Sequence, residues 1–294
     1  MRTSRPSAFL FFALLAVWGC AQPVPLPGGK ALLCVSREDE KKFLGKLGHS
    51  NNISAVVSRS RSGAKLFIQF DNHVDKYGPA VHYKLAIVSS EGINVRDLPG
   101  DSFLNDAGEP VCWSTWGPSA RTPLCFSNGT VLPTDVHLNG RSDGKFIPLF
   151  REHENHWWIA CIESPLQEII AFDWEKEFQL LISCRDYLHV FVRGKPEGKP
   201  RKDRWFILKH YEYKFQGNKA QLLKVQDFDY TWSLSDFDPQ TGMMFARSWD
   251  TMFSHGLLVD TFTGKRKDLG VGSGGGYFLE TNVARRFREA VRDP

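Results

Sequence analysis

From about residue 53 onward the chain is a succession of short apolar runs cut by turn-forming pairs, and no helical period survives across more than ~200 residues. The runs 65–70, 83–88, 157–162, 169–172, 179–183 and 188–192 are rich in β-branched and aromatic residues, as half-buried strands are. Between such runs stand Glu91-Gly92, Asn128-Gly129, Asn139-Gly140, Asp143-Gly144 and Gly217-Asn218. Pairs of this kind supply the positive φ that tight hairpins need. Many short strands at near-regular spacing specify an all-β chain: a barrel, a sandwich or a propeller.

The last third chooses among these. Asp238 to Gly242 and Asp260 to Gly264 are both Asp-x-x-Thr-Gly, and apolar runs flank each. The aspartate is placed to cap the turn through backbone N–H groups, and the glycine takes the left-handed position. Together they outline an antiparallel meander of four strands and about 40 residues, the size of one propeller blade. Residues 230–269 therefore resemble a blade of the β-propeller families, in which Asp-x-x-Thr-Gly hairpins are frequent. Residues 169–191 resemble the opening strands of another blade. The resemblance implies about five or six four-stranded blades, with a β-sandwich as the alternative. Residues 31–35 then read as a strand that completes the last blade and joins the two ends of the chain.

Two short helices stand out against this background. Ser36-Arg37-Glu38-Asp39 is a serine cap with an acid three residues on, and it opens a helix that ends at Gly48. Val283, Phe287, Ala290 and Val291 form an apolar stripe at helical spacing, with Thr281 as cap and Arg285, Arg286, Arg288 and Arg292 facing water.

The first residues read as a secretory leader. Arg2 and Arg5 precede the apolar run 8–18, and the small residues Gly19 and Ala21 precede Gln22. The run is too short to span a bilayer, which takes about 20 apolar residues. The division expected is a signal peptide over 1–21, a linker, short strand and helix over 22–50, and a propeller-like domain with a C-terminal helix over 51–294. The alternative to a freely secreted protein is an envelope lipoprotein carrying its lipid on Cys20, the one route to membrane attachment. A hydrophobic content of 42% suffices for a core. The formal charge is +4, and Arg2 and Arg5 leave with the leader, so nucleic acid is not an expected partner. In an oxidising compartment four of the remaining cysteines form two bridges, and the favoured pairing is Cys112–Cys125 with Cys161–Cys184. Asn52-Ile53-Ser54 and Asn128-Gly129-Thr130 are glycan acceptor sequences.

Candidate chemistry is sparse. Residues 270–276 contain a formal Gly-x-Gly-x-x-Gly, but a strand-like segment follows where dinucleotide binding needs a helix; an interblade loop is expected, and no cofactor. His153 and His156 precede a strand in a way that keeps their rings apart, so no metal site is expected. Asp227 and Asp229 share a strand face, as do Asp236 and Asp238. Asp227, Asp229 and Asp236 are the candidate catalytic acids, because glycosidases need two carboxyls about 5–9 Å apart. Residues 123–132 are similar to a strand–turn–strand of sialidases. The Ser-x-Asp-x-Gly-x-x-Trp turn of those enzymes is missing, so no role passes to Arg59, Arg61, Arg121 or Tyr230. The chain has neither a Gly-x-Ser-x-Gly elbow nor a Walker loop.

Binding candidates are Trp113 and Trp116, in a loop rich in small residues, and the basic stretch Arg193, Lys195, Lys199, Arg201, Lys202 and Arg204, whose Pro and Gly content excludes regular structure. The function expected is an extracellular binding module that recognises glycan or protein through loops on one face. The alternative is a glycoside hydrolase or lyase with its acids on that face.

Overall fold

The computed structural model describes residues 22–49, 55–73, 81–114, 123–138, 141–142, 145–151, 153–172, 177–194, 207–216, 219–230, 232–248, 255–271 and 274–292. The signal-peptide segment, Cys20, Trp116, Arg121, Lys195, Lys199, Arg201, Lys202 and Arg204 lie outside them.

The strands form six sheets. Blade 1 joins β1 (Val24–Leu26) and β2 (Lys30–Ser36) from one end of the chain to β24 (Gly274–Glu280) from the other. Blade 2 is β3 (Ala55–Arg59), β4 (Lys65–His73), β5 (Val81–Ser89) and β6 (Ile93–Leu98). Blade 3 is β7 (Asp101–Leu104), β8 (Pro110–Ser114), β9 (Leu124–Phe126) and β10 (Val131–Leu132). Blade 4 takes β11 (Val136–Leu138), β13 (Phe146–Arg151), β14 (His156–Cys161) and β15 (Ser164–Phe172). Between β11 and β13 the chain crosses to blade 5, where β12 (Arg141–Ser142) pairs parallel to β16 (Glu177–Cys184). That blade continues with β17 (Tyr187–Gly194), β18 (Ile207–Gln216) and β19 (Lys219–Tyr230). Blade 6 is β20 (Trp232–Asp238), β21 (Met243–Ser248), β22 (His255–Asp260) and β23 (Arg266–Val271).

Six apolar clusters occupy the six seams between neighbouring blades. Phe245 and Leu258 meet Leu32 and Phe278 between blades 6 and 1. Val57 and Ile68 meet Leu33 and Leu279 between 1 and 2. Phe67 meets Leu104 between 2 and 3, and Phe126 meets Ile147 between 3 and 4. Phe146 meets Leu188 between 4 and 5, and Phe191 meets Phe237 between 5 and 6. A strand buries one side chain in two on each face, so each blade offers one apolar set to each neighbour, and the sets close into a ring. The protein is a six-bladed β-propeller with two short helices, not a sandwich.

Ring closure is the β2–β24 pair, in register from Lys30↔Glu280 to Ser36↔Gly274. Glycines make the approach possible. A Cβ on Gly274 would lie 2.2 Å from the Val35 carbonyl oxygen, and one on Gly276 would lie 2.3 Å from the Phe245 ring. Of residues 270–276, expected to be an interblade loop, Gly270 and Val271 end β23 while Gly274, Gly275 and Gly276 open the innermost strand of blade 1, where their lack of side chains is what seats them. Blade 6 spans Trp232–Val271 in outline as the two Asp-x-x-Thr-Gly turns indicate. In the second turn Asp260 accepts from the N–H groups of Phe262 (2.9 Å) and Thr263 (3.2 Å), and Gly264 has φ 70. Residues 169–191 are divided differently from the expectation: β15 closes blade 4, and only β16 and β17 open blade 5.

Helix α1 (Arg37–Lys46) starts with a reciprocal capping box. The Ser36 hydroxyl accepts from the Asp39 N–H (3.1 Å), and the Asp39 carboxylate accepts from the Ser36 N–H (2.8 Å). It packs on α2 (Thr281–Arg292) through Phe43 and Phe287, whose stacked rings are 5.2 Å apart. Arg288, expected to face water, is buried. It pairs with Asp39 (2.9 Å) and donates to the Cys34 carbonyl, which ties both helices to β2. Thr281 donates to the Gly29 carbonyl (2.8 Å), so its hydroxyl serves blade 1.

The expected disulfides are absent: Cys112, Cys125, Cys161 and Cys184 are free thiols. Trp113 lies opposite Cys125, and Cys112 lies opposite Phe126, so the two thiols of the first pair sit one residue out of register and point to opposite sheet faces. In the second pair, Cys161 ends β14 in blade 4 while Cys184 ends β16 in blade 5, in separate sheets. Burial, and to a lesser degree Cys125, pushes the Cys112 thiol up to about 12.

Candidate functional site

Among the described residues, the innermost strands of blades 1, 2, 5 and 6 enclose a cavity of about 30 Å³ lined by Arg59, Arg141, Asp236 and Tyr277, too small for a sugar ring. Asp236 is the hub. It accepts from Arg59 Nε (2.5 Å) in blade 2, from its neighbour's Phe237 N–H (2.8 Å) and from the Phe278 N–H (2.8 Å) in blade 1. Arg59 Nη2 donates in turn to the Phe237 carbonyl (2.7 Å). Asp238 holds Lys30 of blade 1 (2.8 Å) and the Thr241 hydroxyl (2.7 Å). Burial opposes its charge, but the bonds from Lys30 and Thr241 outweigh it and hold the carboxyl below the ordinary range. These two acids join blades 6, 1 and 2.

A larger cavity lies elsewhere among the described residues. A cavity of about 660 Å³ sits where blades 5 and 6 part toward one mouth of the ring, and turns of blades 2 and 3 overhang it. Cross-strand register builds its floor. Ile182, His189, Glu212 and Lys224 lie side by side across β16, β17, β18 and β19. One row deeper lie Leu180, Phe191, His210 and Gln226, and one row outward lie Cys184, Tyr187 and Lys214. Residues two apart along a strand share a face, so all three rows look toward blade 6. The face changes from apolar at the seam's core to ionisable at its mouth.

Phe237, Thr261 and Phe262 form the opposing wall. Phe262 is 73% exposed, and its ring lies over Gly242, where a Cβ would come within 2.1 Å of it. The overhang is Arg61, whose Nε pairs with Asp106 (3.3 Å) and whose Nη1 reaches the Ser183 hydroxyl (3.2 Å), while its N–H donates to Asp106 (2.6 Å).

At the floor, His189 Nδ1 and His210 Nε2 share a hydrogen bond of 3.0 Å. The His210 ring stacks on Phe191 at 4.3 Å, and Phe237 packs on both imidazoles. Burial pushes His189 down to about 4. Burial, with smaller contributions from His189 and Lys224, pushes His210 down to about 3. Both rings are therefore neutral at pH 7, and the buried His210 Nδ1 has no hydrogen-bond partner among the described residues.

The residues singled out from sequence fall in several places. Asp227 is on the outermost strand of blade 5, 3.6 Å from Lys209 Nζ, and Asp229 follows on the same strand. Asp236 is on the innermost strand of blade 6, away from the strand that carries Asp227 and Asp229. Trp113 is half-buried on β8. Arg193 precedes Gly194 at the far end of β17 from the cavity, and the basic residues that follow lie outside the described residues. His153 bonds Asp135 (3.0 Å) and His156 bonds Glu168 (2.9 Å), so the two rings turn to separate partners. Sequence reading did not bring out Tyr187, His189, His210, Glu212 or Lys224. The available signal was polar residues at every second position of a strand-like run, as in His210-Tyr211-Glu212-Tyr213-Lys214.

No family model matches the chain, and no curated protein matches it. Among solved structures it is similar to the β-propeller domain of the Trilobed protease from Pyrococcus furiosus, at 10% identity and a TM-score of 0.41 over 73% of this chain and 70% of that one. It is also similar to a prolyl endopeptidase structure, at 14% identity and a TM-score of 0.41 over 95% of this chain and 53% of that one. The chain thus spans about half the length of that endopeptidase. No residue role is carried over from either.

Proposed function

We propose that this protein is an extracellular carbohydrate-binding module that holds its ligand in the cavity between blades 5 and 6. The leader-like residues 1–21 support export. The observation that carries the reading is the chemistry of the cavity wall. Tyr187 and the exposed Phe262 offer aromatic faces, and Glu212, Lys224 and Arg185 offer polar groups around the same space. Saccharides present both apolar C–H faces and hydroxyls, and a concave site of this volume with a few convergent polar groups suits them.

A glycan array probed with the processed protein, followed by calorimetry on the best ligand, tests the reading. Phe262→Ala is expected to weaken binding about tenfold by removing a stacking face. Silence across the array would remove the proposal.

One observation favours a second reading, a glycoside hydrolase: Asp106 and Glu212 line the cavity from different blades. Asp106 already accepts from the Arg61 N–H and forms an ion pair with its guanidinium, which favours binding over turnover. Hydrolysis of chromogenic glycosides that Glu212→Gln abolishes would replace the module with the enzyme.

A further inference from the structure

We infer that the cavity selects saccharides that carry a carboxylate, of the uronic-acid class, and that Arg185 and Lys224 receive it. The inference rests on the carbohydrate-binding reading above and narrows it.

Arg185 and Asp186 form the two-residue turn between β16 and β17, bracketed by the Cys184↔Tyr187 pair. Arg185 has φ 54, one of only two positive values among the described non-glycine residues. A side chain is penalised in that region, and hairpin turns that need positive φ at the first central position take glycine there. The backbone alone would be better served by glycine. An arginine kept at such a place points to use of its guanidinium, and this one lines the cavity.

The charge balance around the cavity agrees. Arg61 is neutralised by Asp106. Among the described residues neither Arg185 nor Lys224 has an ion-pair partner, and Glu212 stands opposite Lys224 in register without pairing to it. The two histidines are neutral at pH 7. Two cations against one free carboxylate leave a surplus of one positive charge, which one carboxylate on a ligand cancels. The planar guanidinium fork matches a carboxylate through two parallel hydrogen bonds. Phe262 and Tyr187 remain for the apolar faces of the sugar.

Calorimetry on the full processed chain tests this with three probes: digalacturonate, its uncharged counterpart galactobiose, and a sulfated galactobiose. The unaltered protein is expected to bind digalacturonate at least about tenfold tighter than galactobiose, as a charge-assisted pair requires. Arg185→Gly removes the guanidinium and relieves the strained turn. It is expected to lose at least about tenfold in digalacturonate affinity while its melting temperature stays level or rises, a combination that a purely structural arginine would not give. Lys224→Gln is expected to weaken digalacturonate in the same direction. Equal affinity for digalacturonate and galactobiose, unchanged digalacturonate binding in both variants, or preference for the sulfated probe overturns the carboxylate assignment and leaves the module reading standing. No binding of any probe, with silence on the array, overturns both.

Discussion

The seam between blades 1 and 2 and the seam between blades 5 and 6 start from the same geometry and end differently. Two helices supplement the first. Phe43 and Phe287 stack within it, Val283 and Phe287 are fully buried, and the buried Arg288 meets Asp39. Among the described residues no helix lies beside the second. Its apolar core stops at Phe191 and Phe237, two neutral imidazoles follow, and beyond them the blades part around about 660 Å³. Where added elements fill the outer wedge of a propeller the seam does structural work. Where the wedge is left open, the same alternation of side chains presents ionisable groups to a space large enough for a ligand.

Removing packing from the filled seam is expected to have the largest effect. Phe287→Ala, at a fully buried stacked ring, should cost about 3–5 kcal/mol in urea unfolding. An unfolding midpoint like that of the unaltered protein would mean that the helices do not contribute to the ring.

Acid should act next, through the open seam. His189 and His210 are held neutral in the fold, with values of about 4 and about 3 against an ordinary value near 6.5. The unfolded chain therefore binds more protons in the window from about pH 6.5 down to pH 3, so the stabilisation is fully present above pH 6.5 and is lost as pH falls through it. The loss is on the order of 3 kcal/mol for each histidine by pH 4, roughly 6 kcal/mol for the pair. His210→Phe should flatten the dependence, as read from unfolding midpoints at pH 7 and pH 4.5. An equal slope in the variant would place the acid sensitivity elsewhere.

Arg288→Ala should cost about 2 kcal/mol, because Asp39 loses its partner in a half-buried setting and the Cys34 carbonyl loses a donor. Phe262→Ala should change stability by less than about 0.5 kcal/mol while lowering ligand affinity, since most of its ring already faces water. A reducing agent should have the smallest effect. With no cross-link among the described cysteines, the melting temperature should move by less than about 1 °C, and alkylation of the unfolded protein without reduction should label Cys34, Cys112, Cys125, Cys161 and Cys184.

Features written in local chemistry were legible from the residues. The Asp-x-x-Thr-Gly turns, the Ser36–Asp39 box and the stripe Val283, Phe287, Val291 each need only a few neighbouring positions, and each folds as those positions demand. The β2–β24 closure was legible because an isolated apolar strand at one end has few places to go. Register was not. Cys112 and Cys125 look like neighbours until the pairing of Trp113 with Cys125 turns them apart. Arg288 reads as a water-facing position on the helix, and only the arrival of Asp39 from the other helix brings it inside. The candidate site was hidden for the same reason. Lys224, Glu212 and His189 are far apart in sequence, and cross-strand pairing alone makes them one row.

The closing pair also sets how the ring yields to force. The chain enters β2 at Lys30 and leaves β24 at Glu280, at the same end of an antiparallel pair. Tension between the two ends of the protein strips α2 and the short β1 and then reaches that end alone. The hydrogen bonds from Lys30↔Glu280 onward are loaded one after another, as in a zip, rather than all together in shear. A protein closed this way resists heat through its six seams and gives way at low load when its ends are pulled apart.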